Sequence, residues 1–225
     1  MANLTRLREL GKLLNIQTVA WKKYELEEKY ISNLDFLQFI FERELEIRRQ
    51  NAIRRNRKNS NLPKIELDKA DLLEGILYQV NNLEKCEWVE KSQNLLLVGK
   101  SSTNKTATAI HLANTALDKG YKVMYLTIDE LFIILNRKDD LAKAKLTHAR
   151  LTAADVIVID DFLYLDLGRD ALELLYKTLM ALTSSASIVF IANREPLEWV
   201  ESANDKYTMK LLISRVVATC EKVLT

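Results

Sequence analysis

The amino-acid sequence predicts an α/β protein in which helices flank a parallel sheet, preceded by a small all-α region. Four short runs of Val, Ile and Leu, separated by helix-length segments, are typical of parallel strands that are buried on both faces. Before these runs, apolar residues recur every three or four positions, as in amphipathic helices. Only five Gly and two Pro occur among 225 residues, which disfavours an all-β sandwich with many turns.

The composition suits a soluble globular protein, because 48% of the residues are hydrophobic and 28% are charged. With 33 basic and 31 acidic side chains, the net charge of +2 gives no general attraction to nucleic acid or membrane. The charge is uneven, however: residues 1–70 carry 15 basic and 10 acidic side chains, whereas residues 71–225 carry 18 and 21. We therefore expect any contact with a polyanion in the first third of the chain.

The sequence shows no pattern typical of secretion or of a membrane span. Charged residues interrupt the first apolar residues from Arg6 onward, so no signal peptide is predicted. The longest uncharged run, residues 178–193, is too short and too polar in its middle to span a bilayer. Cys86 and Cys220 are isolated and lack metal-ligand spacing, so we expect a reducing compartment, the cytoplasm, and no membrane partner.

The N-terminal region is predicted to be helical from residue 4 to about residue 58. A second helix starts near Ser32, which can cap it, with Asp35 in its first turn. That helix ends in a basic cluster, after which a breaker at residues 59–63 follows. The basic cluster consists of Arg48, Arg49, Arg54, Arg55, Arg57 and Lys58. We place a basic helical domain at residues 1–66 and the α/β domain at residues 67–225.

The α/β domain is predicted to begin with a helical stretch over about residues 70–90. Four strands follow, at residues 95–98, 123–126, 156–159 and 188–192. Because open α/β sheets bind ligands at the carboxyl ends of their strands, the polar residues after these strands are the candidates for a site.

The first strand runs into a phosphate-loop pattern. Residues 99–106 match G-x-x-x-x-G-K-[ST] at every position except the second Gly, and in this pattern backbone N–H groups and a helix N-terminus hold phosphates. In this layout Lys105 meets the terminal phosphates and Thr106 holds Mg²⁺. The predicted nucleotide-binding residues are Gly99, Lys100, Ser101, Ser102, Thr103, Asn104, Lys105 and Thr106. An ordinary strand-to-helix turn with a solvated Lys105 is the alternative.

Asn104 stands where the pattern has its second Gly. Asn tolerates left-handed backbone better than other non-Gly residues, but its side chain crowds the approach of a phosphate. We expect the conformational strain alone to weaken nucleotide binding by about 1 kcal/mol or more.

Two further strand ends carry polar side chains. Asp160 and Asp161 follow the third strand, where the first carboxylate would order the magnesium shell and the second would polarise the attacking water. Thr106 and Asp160 are thus the predicted metal ligands. Asn193 follows the fourth strand and could orient a water against the γ-phosphate; a turn residue before Pro196 is the alternative.

The basic cluster is a candidate surface for the phosphate backbone of DNA. Six cations along three helical turns can neutralise several phosphates, which gives binding a steep dependence on salt. A merely solvated cationic face is the alternative.

These motifs resemble those of the IstB-like transposition helper ATPases and their relatives, the DnaC-type helicase loaders. The similar segments are residues 87–99, 120–123, 160–165, 192–193 with Trp199, and 213–216, and the likeness spans nearly the whole chain. The resemblance implies a P-loop NTPase of the AAA+ class with a RecA-like parallel sheet. We expect no C-terminal lid, because the sequence stops soon after residues 213–216.

The same resemblance implies the cofactors, roles and partners. ATP and Mg²⁺ would bind between subunits of a homo-oligomer, and the residues of catalysis would be Lys105, Asp160, Asp161, Asn193 and Arg215. Arg215 would be an arginine finger supplied to the neighbouring subunit, which makes hydrolysis depend on assembly; a solvated helix charge is its alternative. The partners implied are DNA, mainly duplex with weak sequence preference, and a transposase, and the resemblance favours DNA as the ligand of the basic cluster.

The sequence departs from the family pattern in two places. Only Gly99 remains of the glycines in the loop, and Leu163 stands where a Gly commonly follows the acidic pair. We therefore expect weak ATP binding and slow hydrolysis. Two other functions stay open: a helicase loader that binds single-stranded DNA and a replicative helicase, and a scaffold that binds no nucleotide.

Overall fold

A computed structural model describes residues 4–21, 33–100, 103–136, 141–164 and 166–224. The chain forms two compact units, Met1–Arg55 and Asn56–Thr225. By this division residues 56–66, which we assigned to the helical domain, belong to the second unit. The predicted helix cap Ser32 lies outside the described residues.

The first unit is helical in its described ranges. Its helices are α1 (Leu4–Leu13), α2 (Gln17–Ala20) and α3 (Asn33–Asn59), the last of which continues into the second unit. The buried carboxylate of Glu44 accepts hydrogen bonds from the N–H and hydroxyl of Thr18, at 3.0 and 3.1 Å, and from Arg48 Nε at 2.8 Å. These bonds join α2 to α3 and satisfy a charge that would otherwise be costly to bury.

The second unit is a three-layer α/β domain. Its strands are β1 (Leu95–Val98), β2 (Val123–Thr127), β3 (Val156–Asp160), β4 (Ser187–Ala192) and β5 (Glu221–Leu224). Its α-helices are α4 (Glu74–Leu83), α5 (Glu87–Glu90), α6 (Lys105–Asp118), α7 (Ile128–Asn136), α8 (Leu141–Thr152), α9 (Arg169–Leu182), α10 (Pro196–Ser202) and α11 (Lys206–Leu212). A 3₁₀ turn at Lys69–Asp71 and a π-helical turn at Ile213–Val217 complete the unit.

The five strands form one parallel sheet in the order β2-β3-β4-β1-β5. The residues of β1, β3 and β4 are all buried, because helices cover both faces of the sheet. Alternate residues of β1, β2, β3 and β4 enter two separate apolar clusters, one that includes α6 and one that includes α9. This arrangement confirms the predicted fold class.

The structure extends the predicted elements in two ways. The predicted helix over residues 70–90 is broken into a 3₁₀ turn, α4 and α5, since Cys86 adopts a left-handed φ of 60° between the two helices. A fifth strand, β5, pairs with β1 where no strand was predicted.

In the ranges that the structure describes, no helix has both the length and the apolar character needed to cross a membrane.

Candidate functional site

A cleft of about 360 Å³ lies at the carboxyl edge of the sheet. The register pairs Val98 of β1 with Ala192 of β4, and Thr127 of β2 with Asp160 of β3, so the residues that follow these strands meet at one edge. The predicted site residues that line this cleft are Thr103, Asn104, Lys105, Thr106, Asp160, Asp161 and Asn193.

Lys105 is the first residue of α6 and is only 5% exposed. Its ammonium donates hydrogen bonds to the carbonyl of Lys100 at 2.5 Å and to the hydroxyl of Thr103 at 3.3 Å. Burial lowers the pKa of Lys105, and the nearby carboxylate of Asp160 acts in the opposite direction. A cation held at the start of a helix, beside a polar loop, is suited to contact the terminal phosphates of a nucleotide.

Asn104 precedes α6 and has left-handed backbone, with φ 59° and ψ 14°. Its side chain makes no capping bond to the described part of α6. At this position the backbone thus has the left-handed conformation that Gly, the residue of the phosphate-loop pattern, adopts most readily.

Thr106 and Asp160 form the contact at the centre of the cleft. The hydroxyl of Thr106 donates to Asp160 Oδ2 at 3.1 Å, and the hydroxyl of Tyr125 donates to the same oxygen at 2.8 Å. The other oxygen, Oδ1, accepts the backbone N–H of Asp161 at 2.8 Å. Both carboxylate oxygens of Asp160, which is 7% exposed, are therefore hydrogen-bonded.

These two residues fit a magnesium ion. Mg²⁺ prefers hard oxygen ligands and is usually bound through one or two protein groups, with phosphates and waters completing its shell. A Thr hydroxyl and an Asp carboxylate, side by side next to a buried Lys, provide this donor set for a Mg²⁺-triphosphate.

Asp161 and Asn193 are exposed at the cleft. Partial burial and the neighbouring carboxylates of Asp160 and Asp129 raise the pKa of Asp161 above its usual value. A carboxylate with a raised pKa accepts a proton more readily, as a general base must.

The turn after β3 has left-handed backbone at two non-Gly residues, Asp161 and Leu163, each with φ 52°. Phe162 between them is buried against the rings of Phe190 and Trp199, with centroid distances of 4.6 and 5.5 Å. Its N–H donates to the carbonyl of Ile191 at 2.8 Å. Leu163 therefore has the backbone conformation that favours the Gly of the family pattern.

Arg194 holds the same turn from β4. Its guanidinium donates to the carbonyl of Leu163 at 2.6 Å, to Asp166 Oδ1 at 3.3 Å and to Ser202 Oγ at 3.1 Å. Sequence reasoning missed the roles of Arg194 and Tyr125, because neither belongs to the phosphate-loop pattern or the acidic pair. The signal for Tyr125 was alternation along β2, which places it on the same face as Thr127.

Of the other predicted site residues, those that the structure describes do not line the cleft. Ser101 and Ser102 lie outside the described residues. Gly99 and Lys100 belong to the loop but do not line the cleft. Arg215 is exposed on the π-helical turn and also does not line it, so an action on this site would have to come from another subunit.

The basic cluster divides into paired and unpaired cations. Arg48 binds Glu44, and Arg49 lies 3.9 Å from Glu46. Arg57 is bound to α6 through Asn114 and Asp118, each at 2.6 Å. The exposed cations Arg54, Arg55 and Lys58 have no ion-pair partner among the described residues.

The sheet order, the loop before α6 and the Thr106–Asp160 contact define the class of this protein, a P-loop NTPase of the AAA+ type. Residues 5–225 match the family described as IstB-like ATP binding protein, and the chain belongs to that family.

Relatives support the family assignment, and solved structures share the fold. The chain is 32% identical over 202 residues to an IS21-like insertion sequence ATP-binding protein of Bacteroides fragilis, covering 88% of this chain and 77% of the relative. It is 25% identical over 222 residues to the IS21 ATP-binding protein of Pseudomonas aeruginosa, covering 94% and 84%. Its fold is similar to DnaI, with a TM-score of 0.60 at 15% identity over 74% of this chain and 95% of DnaI. The DnaC helicase loader gives 0.53 at 15% identity over 79% and 98%.

Proposed function

We propose that this chain is an ATP-dependent, DNA-binding regulator of transposition that engages target DNA for a transposase. The observation that carries the proposal is the contact of Thr106 with Asp160 beside the buried Lys105. Membership of the IstB-like family and the insertion-sequence relatives support the setting in transposition.

Each side chain of the cleft has a task in this proposal. Bound Mg²⁺-ATP supplies the phosphoryl group and the charge neutralisation for its transfer. Lys105 would hold the terminal phosphates, and Thr106 and Asp160 would hold the metal. Asp161 would accept the proton of the attacking water, which Asn193 would orient. Arg215 from a neighbouring subunit would stabilise the charge that develops, so turnover would require assembly.

Nucleotide binding is tested by titration with a fluorescent ATP analogue in the presence of Mg²⁺. Lys105→Ala should weaken binding at least about tenfold, because it removes a charge-assisted bond to phosphate. Lys119→Ala is the matched control, since Lys119 is exposed at the opposite end of α6 and does not line the cleft. Absence of binding in both wild type and Lys105→Ala would favour the scaffold that binds no nucleotide.

DNA binding is tested with two triple variants of equal charge change. Replacement of the unpaired cations Arg54, Arg55 and Lys58 by Gln should lower duplex affinity and reduce the salt slope by about 2 to 3. The matched control replaces Arg48, Arg49 and Arg57 by Gln, because these cations already have partners within the chain. Equal losses in the two variants, with both folded by thermal unfolding, would contradict the distinction between unpaired and paired cations, and no loss in the first variant would contradict a role for the unpaired set.

The fold likeness to DnaI and DnaC keeps a helicase loader as the second candidate function. Affinity for duplex over single-stranded DNA at matched salt separates the two, since a transposition helper should prefer duplex and a loader single strands. Size analysis of the same samples with and without ATP tests the proposed homo-oligomer.

A further inference from the structure

Tyr125 donates its hydroxyl to the carboxylate on which the proposed metal site depends. The bond to Asp160 Oδ2 is 2.8 Å long, and the same oxygen accepts the hydroxyl of Thr106. The backbone N–H of Asp161 donates to the other oxygen, Asp160 Oδ1. Tyr125 lies on β2 and Asp160 at the end of the adjacent β3, so the bond crosses from one strand to the next.

Both the backbone and the side chain of Tyr125 are held in place by the surrounding structure. Its backbone N–H donates to the carbonyl of Ser60 at 2.7 Å, outside the sheet ladder. Its ring packs, half-buried, against the apolar cluster that includes α6. A tyrosine hydroxyl is protonated at neutral pH, so Tyr125 is a hydrogen-bond donor to this carboxylate.

We propose that Tyr125 is a positioning residue that orients the Asp160 carboxylate for magnesium. The inference rests on the proposed function, in which Thr106 is itself a metal ligand. If Thr106 bound the metal, Tyr125 and the Asp161 N–H would be the donors left to set the rotation of the carboxylate. Partners that orient a ligating carboxylate contribute to metal affinity without touching the metal.

The test measures nucleotide affinity of the full chain, with the fluorescent ATP analogue, over a Mg²⁺ series and in EDTA. Tyr125→Phe removes only the hydroxyl; it should raise the half-saturating Mg²⁺ concentration about tenfold and leave affinity in EDTA within about twofold of wild type. Tyr121→Phe is the matched control, since Tyr121 packs against the same cluster and does not line the cleft. It should behave as wild type.

Three results would overturn the inference, each in a recognisable way. An unchanged Mg²⁺ requirement in Tyr125→Phe would show that the hydroxyl does not position the carboxylate. Equal weakening with Mg²⁺ and with EDTA would show a purely structural role. A wild type that binds no nucleotide would overturn the proposed function and the inference together.

Thermal unfolding without nucleotide checks the bond itself. Tyr125→Phe should lower the Tm in the wild-type background and should lower it less in an Asp160→Asn background, because the carboxylate partner is then gone. Equal shifts in the two backgrounds would refute the coupling between Tyr125 and Asp160.

Discussion

Replacing Asn104 by Gly should separate backbone strain from crowding of the phosphate approach. The left-handed φ of 59° belongs to the folded chain, so the strain lowers the free energy of unfolding. This differs from our expectation from the sequence, because the strain weakens nucleotide binding only if binding changes this conformation. Relief of the strain is worth about 1 kcal/mol. The greater freedom of Gly in the unfolded chain costs about 0.4 to 1 kcal/mol. The two effects nearly cancel, and Tm should change by less than about 2 °C.

Nucleotide affinity should respond to the lost side chain. The Asn104 amide lines the cleft and makes no capping bond to the described part of α6, so its removal costs no bond there. Removal of the amide that crowds the phosphate should strengthen nucleotide binding by about 1 kcal/mol, which is about fivefold in affinity. Asn104→Ala is the informative partner, because it also removes the amide but keeps a Cβ in left-handed backbone at about 1–2 kcal/mol.

Titration with a fluorescent ATP analogue and thermal unfolding of the three proteins give the answer. We expect both variants to bind more tightly than wild type. Only Asn104→Ala should lose Tm, by up to about 4 °C, because the strain of Ala exceeds that of Asn by about 1 kcal/mol at most. Unchanged affinity in Asn104→Gly would refute the crowding argument. Tighter binding in Asn104→Gly alone, with Asn104→Ala as weak as wild type, would instead place the strain in the binding step.

Other expectations concern the turn after β3, the first unit and the thiols. Arg194→Lys should lower the free energy of unfolding by about 1–3 kcal/mol in denaturant titrations, because Lys cannot reproduce the planar fork that binds this turn. Burial alone would raise the pKa of Glu44, but the bonds from Thr18 and Arg48 outweigh it and hold this pKa below its usual value. The stabilisation by Glu44 is therefore present above the ordinary Glu range and is lost as pH falls through the lowered pKa, so the unfolding free energies of wild type and Glu44→Gln should differ at pH 7 and converge in acid. Burial raises the pKa of Cys220 to about 12, so iodoacetamide at pH 8 should label it slowly in the native protein and rapidly after denaturation.

Most strands of the sheet were predictable from the sequence, because buried parallel strands are continuous apolar runs. Strands β1, β2, β3 and β4 were predicted within one residue at each end. Strand β5 was missed because Glu221–Leu224 has only two apolar residues, of which Val223 is buried, and its pairing with β1 is a long-range contact. No Gly or Pro in the sequence marks the break between α4 and α5 at Cys86. The left-handed conformation of Cys86 is seen only in the structure.

The candidate site was predictable where it follows a local pattern. Lys105 and Thr106 begin α6, Asp160 ends β3 and Asn193 follows β4 directly. Parallel strands bring such residues to one edge of the sheet. Tyr125 lies inside a strand, where an aromatic residue is expected to pack. Only the register between β2 and β3, which a single sequence does not give, brings its hydroxyl to Asp160.

Left-handed backbone occurs at Asn104 and Asp161, which line the cleft, and at Leu163 in the turn that follows Asp161. Conformations of this kind persist only where the surrounding structure over-determines them. After β3 that structure is visible: Phe162 is wedged between two aromatic rings, and Arg194 binds the carbonyl of Leu163. Leu163 is 2% exposed, so a Leu side chain at this left-handed position buries apolar surface that Gly would lack. The turn that carries Asp161 is thus held by packing on one side and by a guanidinium on the other, so we expect the carboxylate pair to be in place before a nucleotide binds.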